Sequence, residues 1–245
     1  MAHIKEGNAK MNPERVSTGI SGLDKMLNGG LIAKRVYLVK GAPGTGKTTL
    51  AMHFAMEGIK NGEDVLYITL EEPAENIKED FGRMGFDVKN PRFLLLDATP
   101  QTENYVFVED LFETFGKNLE KLTSAILDRF KEITYSRVII DPITIFKVTA
   151  EKESEYRKSF LKFVKSMMQL KTTVLITSEL ERTDIEEYLV SGVIELRRHE
   201  IGGKLVRTLR ITKFRGSGFD PFVRPFEITD TGMVVNTEKK VEVEE

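Results

Sequence analysis

Val36-Tyr37-Leu38-Val39-Lys40-Gly41-Ala42-Pro43-Gly44-Thr45-Gly46-Lys47-Thr48-Thr49-Leu50-Ala51 is the stretch that decides the fold. The apolar run Val36 to Val39 reads as a short strand. Lys47 to Lys60 reads as a helix with Leu50, Ala51, Phe54 and Ala55 on one face. The loop between them satisfies G-x-x-x-x-G-K-S/T at every fixed position. Glycines let a backbone wrap a phosphate without side-chain clash, and free N–H groups at a helix start attract negative charge. Gly41, Ala42, Pro43, Gly44, Thr45, Gly46, Lys47, Thr48 and Thr49 are therefore candidate nucleotide contacts. Lys47 is expected to reach the β- and γ-phosphates, and the Thr48 hydroxyl to help hold Mg2+.

Working outward, strand-like and helical segments alternate. Val65–Leu70, Phe93–Leu96, Val138–Asp141 and Thr173–Thr177 read as strands. Pro73–Met84, Leu111–Ile133 and Glu153–Leu170 read as helices, the last with Phe160, Phe163, Val164, Met167 and Met168 on one face. Uninterrupted apolar strands alternating with helices predict a mostly parallel sheet flanked by helices, an α/β fold. After Val190 the pattern changes. Gly192–Leu196, Leu205–Ile211 and Phe226–Thr229 are short strands split by glycines and prolines, an antiparallel extension of the same sheet. No linker separates two domains, so the expectation is a flexible 1–11, a single domain over 12–236 and an acidic tail over 237–245.

Composition narrows the chemistry. There are 245 residues, no cysteine and three histidines, which excludes disulfides, thiolate nucleophiles and cysteine-ligated metals. The net charge of −2 argues against a surface built throughout for nucleic acid. No signal-like or membrane-length apolar run is present, so a cytoplasmic protein without membrane association is expected.

Two further sites carry chemistry. Asp141 ends V-I-I-D on a strand expected to face the phosphate loop, where it would bind Mg2+ through water and steady Thr48. Glu71-Glu72 follows the second strand and offers a base for, or a means of orienting, an attacking water. Which glutamate acts is left open by the sequence.

The chain resembles the KaiC-like branch of the RecA superfamily of ATPases. The resemblance rests on S-T-G-I-S-G-L-D-K-M-L-N-G-G-L (Ser17 to Leu31), the phosphate loop, Glu71-Glu72, Thr177-Ser178-Glu179, I-T-K-F-R-G-S-G-F-D (Ile211 to Asp220) and I-T-D (Ile228 to Asp230). It implies a RecA-like P-loop fold and ATP with Mg2+ bound between subunits of a ring, usually a hexamer. Lys213 and Arg215, with Phe214 between them, would reach the γ-phosphate of the neighbouring subunit as an arginine finger does. Ser217, Thr229 and Asp230 would lie near the base and ribose of that same nucleotide. Thr177, Ser178 and Glu179 would sense the bound phosphate, and Arg83 would contact the nucleotide of its own chain. Hydrolysis, expected to be slow, would switch ring states read by a regulatory protein partner.

Glu187-Tyr188 stands where the clock protein's second module carries an autophosphorylated Ser-Thr pair, so clock-type autophosphorylation is not expected, although Thr183 and Tyr188 remain acceptor groups. From Arg197 to Arg215 there are seven basic residues against one acid. Of these, Arg197, Arg198, Lys204 and Arg207 read as surface or subunit contacts. Glu179 to Tyr188 holds five acids against Arg182, a charge that disfavours DNA in this loop. A DNA-repair ATPase and an ATP-binding scaffold with little turnover are the competing readings.

Overall fold

The computed structural model describes residues 13–99, 118–180 and 183–242. The expected flexible 1–11, residues 111–117 of the helix expected over Leu111–Ile133, Glu181, Arg182 and the last three residues of the tail lie outside them. In chain order the elements are β1 (Arg15–Val16), α1 (Ser21–Met26), β2 (Leu31–Ile32), β3 (Val36–Lys40), α2 (Lys47–Lys60), β4 (Val65–Thr69), α3 (Ala74–Arg83), β5 (Phe93–Asp97), α4 (Leu119–Arg129), β6 (Arg137–Asp141), α5 (Thr144–Val148), α6 (Glu153–Gln169), β7 (Thr173–Ser178), α7 (Asp184–Leu189), β8 (Gly192–Ile201), β9 (Lys204–Phe214), β10 (Arg224–Thr229) and β11 (Gly232–Val235).

Nine strands form one sheet in the order β11-β10-β9-β8-β3-β7-β6-β4-β5. From β8 to β5 neighbours are parallel, and β9, β10 and β11 add on as antiparallel strands. Strand alternation sends Tyr37 and Val39 of β3 to one face and Val36 and Leu38 to the other. The first face packs against α1, α2 and α3, the second against α4, α6 and α7. Both faces of the central strands are covered, which is why β4, β6 and β7 read as unbroken apolar runs.

Gly202-Gly203 supplies the turn where the sequence reading splits two strands of the extension. Both residues have positive φ, +58° and +73°, and join β8 and β9 into one long hairpin. Met168 is 50% exposed, so the apolar face of α6 consists of Tyr156, Phe160, Phe163, Val164 and Met167. Pro73 precedes the first turn of α3 instead of entering it, and the Ala74 N–H donates to Asp97 Oδ2 at 2.7 Å.

A buried cation ties β6 to α2. Arg137 is 1% exposed; its Nε donates to Glu63 Oε2 at 2.6 Å, and its Nη1 donates to the carbonyls of Ser17 and Phe54, both at 2.8 Å. No helix among the described residues is long and apolar enough to cross a membrane.

Candidate active site

The phosphate loop springs from the C-terminal end of β3, at the centre of the sheet. The Gly41 N–H donates to the Ser178 carbonyl at 3.1 Å, and buried Thr45 donates its hydroxyl to the Ala42 carbonyl at 2.8 Å. Gly46 has φ +103°, and a Cβ there would stand 2.8 Å from Ile228 Cδ1, so the last turn before α2 requires glycine. Lys47 opens α2, is 5% exposed, and donates Nζ to the Ala42 carbonyl at 3.2 Å and to Glu179 Oε1 at 3.0 Å. A carboxylate thus sits on the lysine expected to hold phosphate oxygens.

The end of β7 organises the site. The Thr177 hydroxyl donates to Asp141 Oδ1, the Ser178 carbonyl anchors Gly41, and Glu179 pairs with Lys47. Three consecutive residues therefore hold the acidic strand end, the loop and its lysine. Asp141 is buried at the end of β6, and its Oδ2 accepts from the Tyr67 hydroxyl at 2.6 Å. Burial and then the Asp141 charge push the Tyr67 hydroxyl well above the ordinary tyrosine range, so it stays a donor. With both oxygens engaged, Asp141 suits a bound cation through water, and Thr48 adds a hydroxyl at the start of α2. This all-oxygen donor set fits Mg2+.

Glu71 and Glu72 follow β4. Burial raises the pKa of Glu71, and the charges of Glu179 and Asp141 raise it further, against an opposing pull from Lys47. Glu72 is also raised by burial, then by Asp141 and Asp80. Glu71 thus lies within the electrostatic reach of Lys47.

Lys213 and Arg215 stand elsewhere. Lys213 pairs in register with Val193, whose side chain belongs to the face opposite α2. Its Nζ donates to the carbonyls of Glu187 and, at 3.1 Å, Tyr188; Arg215 Nη2 donates to the Tyr188 carbonyl at 2.9 Å. Burial and the nearby Arg215 charge lower the Lys213 pKa. Within one chain these cations hold the C-terminal carbonyls of α7 and are not brought to Lys47.

The model of the KaiC ATPase family matches residues 16–240. The chain belongs to the KaiC ATPase family. It is 31% identical over 233 residues to a UPF0273 protein of Thermotoga maritima, covering 91% of this chain and 96% of that one. It is 32% identical to the UPF0273 protein PH0284 of Pyrococcus horikoshii, covering 92% and 95%. The circadian clock protein KaiC3 of Synechocystis is 26% identical over 95% of this chain, but only 47% of that longer protein is covered. Among solved structures, the KaiC-like protein PH0186 of Pyrococcus horikoshii superposes with a TM-score of 0.78 at 29% identity, covering 92% of this chain and all of that one. The parallel sheet with its antiparallel extension is therefore the RecA-like KaiC fold.

In this KaiC family chain the remaining expected contacts divide. Ser217 accepts from Arg15 Nη2 at 2.6 Å, near the Lys213–Arg215 segment. Thr229 and Asp230 are the other two positions expected near the neighbouring subunit's nucleotide. They lie in the β10–β11 turn beside their own loop, where Ile228 meets Gly46. The turn closes there because Gly232, at φ +108°, lets the backbone approach His53 of α2, which accepts the Met233 N–H at 2.7 Å. The Phe214 ring is buried and stacks on Tyr37 at 5.9 Å. Arg83 pairs with Glu79 and Asp80 of its own helix.

The acidic segment is not the bare negative surface its composition implies. Glu179 holds Lys47, Glu187 holds Lys40 at 2.7 Å, and fully buried Glu186 accepts from Tyr156 at 2.8 Å and Lys147 at 3.2 Å. Arg198, read from sequence as a surface or subunit contact, is exposed and stands over the phosphate loop: its Nη1 is 3.3 Å from where a Cβ on Gly44 would be. The role of Glu179 as the partner of Lys47 was not legible either, since the two residues are 132 positions apart.

Proposed function

We propose that this chain binds ATP with Mg2+ and hydrolyses it to ADP and phosphate, with Glu71 as the base that orients and deprotonates the attacking water. The observation that carries the reading is the convergence of Lys47, Asp141, Glu179 and Glu71 at the ends of adjacent strands. Lys47 and the loop N–H groups would hold the phosphates. Thr48 and Asp141 would hold Mg2+, which when bound supplies charge neutralisation at the β- and γ-phosphates. Glu71 is favoured over Glu72 because the charges of Lys47 and Glu179 act on its carboxyl, whereas neither is among the charges acting on Glu72.

Lys213 and Arg215 would serve the site of an adjacent copy in a ring, most simply a hexamer. Their position on the face away from α2 supports this, because one chain does not complete its own cation set. Hydrolysis would then switch ring states that a regulatory protein reads. Clock-type autophosphorylation is not part of this reading: Glu187, paired with Lys40, carries no hydroxyl, and Thr183 is buried and donates to Glu187 at 2.6 Å, which leaves exposed Tyr188 as the acceptor group there.

Phosphate release tests the reading. Glu71→Gln is expected to lower turnover at least 100-fold with ATP still bound, and Glu72→Gln to lower it less. Lys47→Ala is expected to abolish binding. Unchanged release in both glutamine variants, with assembly intact, would leave a scaffold that binds ATP without using these carboxylates. Solution mass with and without ATP and Mg2+ tests the ring.

A further inference from the structure

We propose that Arg198 binds the terminal phosphate of the nucleotide held in its own chain's phosphate loop. The assignment deepens the ATPase reading and rests on it. The β8–β9 hairpin carries arginines on both faces, and the faces differ. On one, Arg197 and Arg210 both donate to Glu195, the first at 3.0 Å, so their charge is neutralised inside the hairpin. On the other, Arg198 and Arg207 stand directly opposite each other in the strand register. Like charges in that arrangement destabilise a hairpin unless an anion joins them. Neither has a carboxylate partner among the described residues, and Arg207 Nε is buried without a hydrogen-bond partner.

Arg198 is also the member of the pair aimed at the loop. Its Nη1 lies 3.3 Å from where a Cβ on Gly44 would be, and Gly44 has no side chain to stand between the guanidinium and a ligand. It lines a cleft of about 600 Å³ together with Gly41, Ala42 and Glu179. Glu179 is the carboxylate that Lys47 already holds, so the cleft borders the Lys47–Glu179 pair. A phosphate displacing Glu179 would find Lys47 on one side and Arg198 on another. The planar guanidinium fork suits two phosphate oxygens at once. Lys213 and Arg215 cannot fill this place within the chain, since they hold the carbonyls of Glu187 and Tyr188.

Calorimetric titration of the full chain with Mg2+ and either ADP or a slowly hydrolysed ATP analogue tests the proposal. In Arg198→Ala the affinity for the ATP analogue should fall about 10- to 100-fold, the loss of one charge-assisted contact. Affinity for ADP should change less than about threefold, with Arg198→Lys in between. Equal losses for both nucleotides, or no loss, would overturn the assignment while leaving the ATPase reading intact. If the unaltered chain bound neither nucleotide, both would fall. Mixing Arg198→Ala with Lys47→Ala chains should leave the weakened affinity unrestored. Restoration would place Arg198 at a neighbour's site and overturn the own-chain assignment.

Discussion

Glu71 and Glu72 are held in a state that costs stability at neutral pH. Both have raised pKa values, with burial the first cause. As pH rises through the ordinary glutamate range the unfolded chain releases these protons before the folded one does, so the folded state loses stability on the way to neutrality. Glu71→Gln should therefore raise the melting temperature at pH 7 while lowering turnover. The gain should vanish below about pH 4, where both states are protonated. A melting temperature at pH 7 that fell in the glutamine variant would contradict the electrostatic account. Arg137 is the opposite case, a charge buried purely for structure. Its Nε and Nη1 make three bonds to Glu63 and to the Ser17 and Phe54 carbonyls, and its guanidinium lies 4.6 Å from the Phe54 ring centroid. Arg137→Ala should cost about 3–5 kcal/mol in denaturant unfolding, the scale of breaking a buried pair. Nothing local in the sequence marks Arg137, because its partners lie 74 to 120 positions away. Glu71-Glu72 was legible because adjacent carboxylates at a strand end are a local signal.

At the level of elements, the parallel strands were readable because both faces of each are buried, which leaves unbroken apolar runs in the chain. The two-residue β1 and β2 carry no such run, and β11 shows only as Gly-Met-Val-Val, too short to distinguish from a loop. The β8–β9 turn was legible for a different reason: Gly-Gly splits the two strands of the extension, and its two positive φ angles are what a tight hairpin turn needs. The docking of the β10–β11 turn on α2 depends on neutral His53, whose Nε2 accepts the Met233 N–H. Burial lowers the His53 pKa. Between that lowered value and the ordinary one near 6.5 the unfolded chain binds more protons, so stability is lost as pH falls through this window. The melting temperature should decline below about pH 6.5 more steeply in the unaltered chain than in His53→Gln, which keeps an acceptor but does not titrate. Parallel declines in the two would show that His53 is not the source.

At the scale of the whole molecule, the proposed chemistry is divided between two faces of one sheet. Lys47, Asp141, Glu71 and the Thr229–Asp230 turn serve the loop side, and Lys213 and Arg215 point to α7. If the second set completes a neighbour's site, Lys213→Ala and Lys47→Ala chains, each inactive alone, should recover part of the ATPase rate when mixed. Rings that pair an intact loop with an intact Lys213 would account for the recovery. No recovery, with mixed assembly shown by mass, would remove the shared-site reading. This division was visible in the sequence only through family resemblance.

The contact between Lys47 and Glu179 has a further consequence. A tethered carboxylate competes with every incoming anion at a high effective concentration, because it never diffuses away. Chloride or a lone inorganic phosphate offers one interaction against that built-in competitor. A nucleotide that engages the loop N–H groups together with the lysine offers several. On the proposed reading the pairing would act as a filter on multivalency, keeping the loop unresponsive to the simple anions of its surroundings.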